Sequence, residues 1–587
     1  MSDACATGDP DRIPDELTER EAVSGTQARS IPDVLRQAGW AAGVAVAAGC
    51  SAGEEGEPEP ESPWWELSGQ GLDVPSTEVD AARFLEATTF GITDDDLTGV
   101  QFAGFNAYLD YQISLPPSLQ RPALEAREAA GEDVFQNQRQ ELWWRNAVRR
   151  DDQLRQRMAF ALSEIFVVSD RAGSLKNYPI GLAEYYDTLC RGAFGSFREL
   201  LSEVTLSPIM GNYLSHLRNQ KGDPANNIRP DENYARELMQ LFTIGLIELN
   251  QDGSPRLDGG GAEIPTYTQT DIEELARVLT GWTYAGAENF SWGPRNMLEP
   301  MEAFPEYHDD QAKTILGTTV LPAGLTPEED LEQALDVIFM HSNVPPFIAL
   351  RLIQRLVTSA PSPAYIERVA DVFADDGEGV RGNLEAVVRA ILLDDEARTG
   401  HLTSPQTFGK LREPIVRMAG IWRTFRANAQ TNRYRYWSPE RDFGQAALRS
   451  PSVFNFFYPT YQPPGVLADA GLYAPEFQIT THTMITLAAN EYYDRIYRGY
   501  PGWSGTDQHT VTLRLNRELA LAEDAEALVD RLSLLLMAGQ MSAEMRTTLI
   551  AHVNGVDLDA GNKADGMQRV LDAIYLIVTS PEGSHQQ

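Results

Sequence analysis

The sequence predicts a mainly α-helical protein, a large multi-helix globular body with long, aromatic-rich ordered loops. Three observations support this prediction. After residue 80, apolar residues recur at helical spacing, capping residues and prolines mark many helix starts, and alternating strand patterns are scarce. With 587 residues, 42% of them hydrophobic and 9% aromatic, the chain is long enough to bury a large core.

The helices are predicted from apolar stripes bounded by caps, glycines and prolines. In chain order they fall near 80–85, 94–105, 141–169 with a bend at 151, 185–206, 208–217, 231–242, 270–279, 328–357 as a pair, 364–398 as a pair, 413–426, 481–498, 517–537, 542–553 and 564–579. The arginines between 145 and 157 are expected to face water. Residues 284–306 and 427–480 lack helical periodicity but are rich in aromatic residues, so we expect ordered loops there.

Charge restricts the possible partners. Asp and Glu number 85 against 48 Lys and Arg, which gives a formal net charge of −37. A surface this acidic repels phosphate backbones and anionic lipid. We therefore expect no nucleic-acid partner and no broad electrostatic contact with a membrane.

Residues 1–50 are predicted to be a leader that ends in a lipoprotein-type signal. Residues 38–49 form a short apolar run of small residues, well below the ~20 needed to span a bilayer. The sequence that ends at Cys50 resembles a bacterial lipoprotein site, although Ala47 stands where Leu is usual. The alternative is a small-residue helix with an incidental cysteine. The prediction is an exported protein held at a membrane through a lipid on Cys50 only.

Residues 51–79 are predicted to be an acidic, Pro- and Glu-rich tether, and residues 80–587 the helical body, with a possible sub-boundary near 400–480. Cleavage before Cys50 would remove Cys5 and leave Cys190 without an intramolecular partner. An exported body of this kind would be held together by its core, without disulfides.

The most informative stretch is 226–242, where a polar loop leads into a helix. Tyr234, Leu238 and Phe242 share one face of that helix, and Pro230 suits its first turn. The following helix is introduced by a predicted capping box that starts at Thr270. Further along come Gly281-Trp282, His308-Asp309 and Lys313.

These runs resemble the bacterial domain-of-unknown-function 1800 family, and the resemblance covers roughly residue 80 to the end of the sequence. The runs that carry it include Phe90-Gly91, Arg157-Met158-Ala159-Phe160, 231–238, Thr280-Gly281-Trp282, His308-Asp309, Lys410-Leu411-Arg412-Glu413-Pro414 and 450–455. The family has no established activity. Its members are commonly encoded beside a sulfatase-like family, so the resemblance implies a sulfatase-like protein partner.

The resemblance also bears on metal binding. Many members carry two histidines where this chain has Ser163 and Ile165, so a family metal site is in doubt here. Glu164, between them, is expected to be an exposed side chain of an apolar helix. Calcium remains possible as a cofactor, because carboxylates are abundant and a hard cation needs only oxygen ligands.

Polar residues that could carry chemistry are concentrated in the 226–242 and 307–313 segments. The candidate catalytic residues are Glu237, Arg236, Asp271 and His308, and the candidate binding residues are Asn233, Lys313, Arg351 and Arg355; Glu232, Asp309, Arg412 and Glu413 are further candidates. Carboxylates in different environments can do acid–base work, and a histidine can act as a base. The structural alternative for each is an ordinary ion pair at a helix end.

Two functions remain open. The first is an envelope accessory or binding component, since no nucleophile elbow, zinc-binding motif or dinucleotide fingerprint is present. The alternative is a secreted hydrolase-type enzyme with a polar site formed by the 226–242 and 307–313 segments. Convergence of the four candidate catalytic residues in one concave site would favour the enzyme, and divergence would favour binding or scaffolding.

Overall fold

The computed structural model describes residues 63–68, 71, 73–499, 507–560 and 566–587. Predictions for the leader, Cys50 and the tether up to residue 62 lie outside the described residues. Residues 61–587 form one compact unit. The described part is mainly α-helical, which confirms the predicted fold class. None of its helices is both long and apolar enough to span a bilayer.

The first third of the described chain contains seven helices. They are α1 (Trp64–Ser68), α2 (Glu78–Thr88), α3 (Asp94–Ala103), α4 (Phe105–Ser114), α5 (Arg121–Ala129), α6 (Gln136–Arg149) and α7 (Gln153–Ser163). The break between α6 and α7 confirms the predicted bend near 151. The expectation that the arginines of 145–157 face water is wrong for Arg155 and Arg157, whose long stems carry their charges into the core.

The middle third places the 226–242 helix among longer ones. Its helices are α8 (Pro179–Arg191), α9 (Phe197–Leu206), α10 (Pro208–Tyr213), α11 (Asn233–Glu237), α12 (Gln269–Val278), α13 (Pro327–Phe339), α14 (Val344–Leu356), α15 (Pro363–Ala374), α16 (Leu384–Leu393) and α17 (Asp395–Thr403). Helix α11 continues into a π-helical segment, Leu238–Thr243. The capping box of α12 starts at Thr268 rather than Thr270, and its partner is Asp271.

The last third has helices before, within and after the predicted ordered loop 427–480, which itself contains the short helices α19 and α20. They are α18 (Pro414–Thr424), α19 (Pro439–Phe443), α20 (Val466–Asp469), α21 (His482–Tyr497), α22 (Asn516–Leu519), α23 (Ala525–Met537), α24 (Ala543–Gly555) and α25 (Met567–Thr579). Between 427 and 480 the aromatic side chains of Tyr434, Tyr436 and Phe457 are buried. This loop is therefore packed onto the helices, as predicted.

Strands in the described residues are short and pair only as antiparallel two-stranded ribbons. They are β1 (Trp282–Thr283) with β2 (Glu302–Ala303), β3 (Lys313–Ile315) with β4 (Thr319–Leu321), and β5 (Lys410–Leu411) with β6 (His585–Gln586). In the last pair Lys410 lies opposite Gln586. This ribbon fixes the backbone that leads from β5 into α18.

The core is continuous through the helices that surround α7. Helix α7 packs against α4, α8 and α14, and α18 packs against α6. The rings of Trp144 on α6 and Trp422 on α18 meet with centroids 5.1 Å apart. A Cβ on Gly420 would lie 2.9 Å from the carbonyl oxygen of Phe90, so a glycine is needed where α18 touches that segment. The end of α7 thus lies deep in the protein.

Candidate functional site

His308 and Lys313 meet at a residue that the sequence did not single out, Asp330 of α13. His308 Nε2 lies 2.9 Å from Asp330 Oδ2, and Lys313 Nζ donates to the same oxygen. All three side chains are buried. His308 Nδ1 lies 2.9 Å from the carbonyl oxygen of Thr280, which can only accept, so Nδ1 carries a hydrogen.

The protonation of this group follows from its geometry. Because Nδ1 of His308 is already a donor, the contact between Nε2 and Asp330 requires one further proton, held by either partner. Asp330 Oδ1 is buried and has no hydrogen-bond partner among the described residues. The enclosed trio ties the β3 region to α13 rather than presenting a base to solvent.

The other candidate catalytic residues lie where α11 contacts α12: Gln269 of α12 is hydrogen-bonded to Arg236 at 3.5 Å and to Glu232 at 2.9 Å. Asp271 accepts hydrogen bonds from the backbone and side chain of Thr268, both at 2.7 Å, as a helix cap. Arg236 pairs with Glu232 at 3.2 Å near the surface. Glu237 is buried, its Oε2 has no hydrogen-bond partner among the described residues, and burial raises its pKa.

One of the candidate binding residues, Asn233, and Asp309 complete this picture. Asn233 is exposed, and its backbone N–H donates to Asp231 Oδ1 at 2.9 Å. Asp309 holds Arg277 through two hydrogen bonds of 2.9 and 3.0 Å. Neither residue is grouped with the candidate catalytic residues. These contacts are local pairs, whereas the enzyme hypothesis requires the candidate residues to line one concave site.

A larger group of charges occupies the core where α7 ends. We call Glu164, Glu413, Glu476, Arg355, Lys410, Arg157 and Gln445 the core ion cluster; all are buried. Arg355 Nε lies 2.9 Å from Glu164 Oε2. Gln445 Nε2 donates to Glu164 Oε1 at 3.0 Å and also to Glu413, so one amide bridges the two carboxyl groups.

Lys410 organises the other half of the core ion cluster. Its Nζ lies 3.0 Å from Glu476 Oε1 and 3.7 Å from Glu413 Oε1. It also donates to the backbone carbonyl oxygens of Gln354 and Arg355, at 2.8 and 3.1 Å. β5 and the last turn of α14 are thereby joined through a single ammonium group.

The two bridged carboxyl groups have opposite protonation behaviour. Burial and the neighbouring Glu413 raise the pKa of Glu164 to about 8. Burial opposes ionisation of Glu413 as well, but Lys410, Arg355 and Gln445 outweigh it and lower the pKa of that carboxyl. Near neutral pH the pair shares one proton, and such a pairing of acid and base is chemically capable of proton transfer.

The core ion cluster borders a cleft of about 220 Å³. Lys410 and Ser359 line this cleft, and the hydroxyl of Ser359 donates to Glu476 Oε2 at 3.1 Å. Glu164 and Glu413 are not among the residues that line it. The acid–base pair therefore lies behind Lys410.

The two arginines predicted to bind on α14 differ from each other. Arg355 is buried in the core ion cluster, with its guanidinium 4.7 Å from the ring centre of Phe457. Arg351 has no hydrogen bond or ion pair among the described residues, and its guanidinium lies 4.6 Å from the ring centre of Phe347. Burial and the neighbouring Arg355 lower the pKa of Arg351 to about 10.

The expectation that Glu164 is exposed is wrong: only 6% of the residue is accessible. Apolar neighbours in sequence indicated burial of this segment, but the residues that compensate Glu164 are far away in the chain. The sequence did name Arg355 and Glu413 as candidates. It missed Glu164, Lys410, Gln445 and Glu476 as members of one group, because no local spacing relates them.

No metal centre is visible in this region. Within the part of the chain that the structure describes, no three His, Cys, Asp or Glu side chains are grouped closely enough to hold a metal ion. Where the family resemblance implied histidines, Ser163 donates to the carbonyl oxygen of Phe160 and Ile165 is buried. The calcium hypothesis thus has no site among these residues.

The described residues form a helical body with buried charged groups. The protein family that matches this chain has no assigned activity. The family model described as Protein of unknown function (DUF1800) matches residues 83–583, and the chain belongs to that family. Neither the curated proteins nor the solved structures give a match.

Proposed function

We propose that the protein is an exported, lipid-anchored accessory or binding component of the cell envelope. The observation that carries the proposal is that Asp271, Arg236 and His308 are each engaged in a local contact. Asp271 caps a helix, Arg236 pairs with Glu232, and His308 is enclosed with Asp330. A body whose polar residues are engaged in pairing serves better as a rigid binding scaffold than as a catalyst.

The sequence supports the location. The apolar run 38–49 followed by Cys50 is typical of a lipoprotein signal, and the acidic tether after it would separate the body from the membrane surface. The formal charge of −37 favours such a separation, because an acidic body is repelled by anionic headgroups. The partner that the family resemblance implies is a sulfatase-like protein.

Affinity purification from detergent-solubilised envelope tests this proposal. The full chain, tagged after the exposed residue Gln587, is expected to bring down one stoichiometric protein, identified by mass spectrometry as sulfatase-like. A Cys50→Ala variant is the matched control and should leave the detergent phase. Protein recovered alone, or wild type that partitions like the Cys50 variant, would contradict the proposal.

A secreted hydrolase-type enzyme remains the second candidate, and Glu237 is the observation that favours it. Its Oε2 is buried without a partner, and burial raises the pKa of the carboxyl, as a general acid requires. If Glu237 is catalytic, Glu237→Gln should abolish any hydrolytic activity found by substrate screening, at least ~100-fold, because general acid–base catalysis contributes that much. Glu544→Gln, an exposed glutamate on α24 outside the candidate site, is the control. Equal activity of wild type and Glu237→Gln would end this candidate.

A further inference from the structure

One exposed surface is positively charged although the protein is strongly acidic. In the extended segment 433–437, Tyr434 and Tyr436 are buried, while Arg433, Arg435 and Trp437 alternate with them and lie nearer solvent. The segment is held to α6 by Trp144, whose Nε1 donates to the carbonyl oxygen of Tyr436 at 2.9 Å. The alternation therefore directs two guanidinium groups and one indole ring to the same side.

Helix α6 supplies the neighbouring stripe. Glu141, Arg145 and Arg149 are one turn apart along this helix and share a face. Arg127 of α5 reaches the same place, with its NH1 3.2 Å from Glu141 Oε2. We call the combined surface the arginine face: Arg127, Arg145, Arg149, Arg433, Arg435 and Trp437 around Glu141.

Glu141 is the buried anchor of the arginine face. Arg433 Nε lies 2.8 Å from its carboxylate, Trp437 Nε1 donates to it at 2.8 Å, and Arg435 Nε is 4.0 Å away. Burial would raise the pKa of Glu141, but the hydrogen bonds from Arg433, Trp437 and Arg127 outweigh burial and lower it. One carboxylate, whose pKa is lowered, thus orients several guanidinium groups whose charges it cannot fully balance.

The arginine face retains donors without acceptors. The Nε atoms of Arg145 and Arg435 are buried and have no hydrogen-bond partner among the described residues. Burial, followed by repulsion from Arg150 and Arg127, lowers the pKa of Arg145 to about 10. Buried donors are normally paired, so the protein's own acceptors compensate these two guanidinium groups incompletely.

The acids that share a cleft with Arg435 have other partners. Glu491 is 2.6 Å from Arg495 and Asp494 is 3.2 Å from Arg498. Asp507 accepts hydrogen bonds from the backbone N–H of His509 and the hydroxyl of Thr510. Glu132, which contributes to the electrostatic surroundings of Arg433, is exposed at the edge. The excess of guanidinium groups therefore remains on the arginine face.

The size of this excess restricts the chemistry of the ligand. The net charge of −37 repels anions at long range, so a ligand must gain its affinity at contact distance. A nucleic acid or an anionic bilayer would present many more charges than five arginines neutralise. The exposed ring of Trp437, 37% accessible, adds an apolar contact surface between the charges.

We propose that the arginine face binds an acidic oligosaccharide, one that carries separated carboxylate or sulfate groups on an otherwise uncharged sugar chain. Guanidinium forks match both groups in a bidentate manner, and the indole ring offers a flat apolar platform for a sugar. The inference deepens the proposed binding function and rests on it. Its test uses purified protein and free ligand, so it can fail or succeed independently of the envelope purification.

Titration calorimetry of the full chain at 150 mM salt tests the inference. The probes are an oligogalacturonate, a sulfated dextran oligosaccharide, a neutral malto-oligosaccharide and a single-stranded DNA oligonucleotide. We expect binding of at least one acidic sugar and none of the neutral sugar. Arg145→Gln with Arg435→Gln should weaken binding at least ~10-fold, because two charge-assisted contacts are lost. Trp437→Ala should weaken binding of the same sugar.

The matched control is Arg546→Gln, which removes an arginine that pairs with Asp530 on another helix pair. It should leave the affinity unchanged. Thermal unfolding of each variant shows whether the fold is kept, and the Trp437 variant provides the test if the double arginine variant does not fold. The inference is overturned if neither acidic sugar binds, if DNA binds as tightly, if the arginine face variants bind like wild type, or if the variants alter self-association instead.

Discussion

Replacing Lys410 with Met is expected to lower the free energy of unfolding by about 3–5 kcal/mol, the range for breaking a buried ion pair from one side. The ammonium group is the shared partner of Glu413 and Glu476 and also satisfies two carbonyl oxygens of α14. Without it, two buried carboxyl groups lose their nearest counter-charge. Urea unfolding of wild type and variant at pH 7, followed by circular dichroism, measures the difference.

The control for Lys410→Met is a solvent-exposed ion pair of the same protein. Arg546 and Asp530 are paired at 2.5 Å with more than a third of each side chain exposed. Arg546→Met should therefore cost less than about 1 kcal/mol. A Lys410 variant no less stable than the Arg546 variant would show that the core ion cluster does not depend on that charge.

Glu164 should contribute a decline in wild-type stability between about pH 4.5 and pH 8, and Glu164→Gln should remove that contribution. The pKa of Glu164 is raised from 4.5 to about 8, so the folded state keeps a proton that the unfolded chain releases in this window. The unfolded state then binds fewer protons, and the free energy of unfolding falls as pH rises. Glutamine resembles the protonated carboxyl, so the variant should become more stable relative to wild type as the pH rises toward 8.

Unfolding midpoints at pH 5, 7 and 8.5 give the comparison. At pH 5 the two proteins should be similar, and at pH 8.5 the variant should be the more stable. Glu544→Gln, an exposed glutamate on α24, is the control and should follow wild type throughout. A constant difference between Glu164→Gln and wild type at every pH would contradict shared protonation with Glu413.

Local sequence signals predicted most of the longer helices because each signal acts within a few residues, but they missed α5, most of α4 and the short helices α19 and α20. The stripe of Tyr234, Leu238 and Phe242 is buried, and Glu232 pairs with Arg236 one turn away. The capping box was placed two residues late, because Thr268 and Thr270 both precede an acidic residue at a suitable distance. Such choices depend on backbone angles that spacing alone does not determine.

The charged interior could not be predicted in the same way. Lys313 and His308 were found as candidates, but their common partner Asp330 resembles any acidic residue in the first turn of a helix. Glu476 lies 66 residues after Lys410, and nothing in the sequence around it indicates that the two side chains are in contact. Periodicity reports which face is apolar, whereas pairing across a core depends on the tertiary arrangement of distant segments.

The ribbon of β5 and β6 affects how the protein reaches its folded state. Lys410 is opposite Gln586, and the amide of Gln586 donates to the carbonyl oxygen of Leu356 at 2.8 Å. Contacts between residues so far apart in sequence form slowly, since chain entropy is lost before they contribute. Until they form, the glutamates around Lys410 are hydrated and ionised. Because Glu164 is protonated once enclosed, closure of this region takes up a proton and is favoured more in acidic than in alkaline buffer.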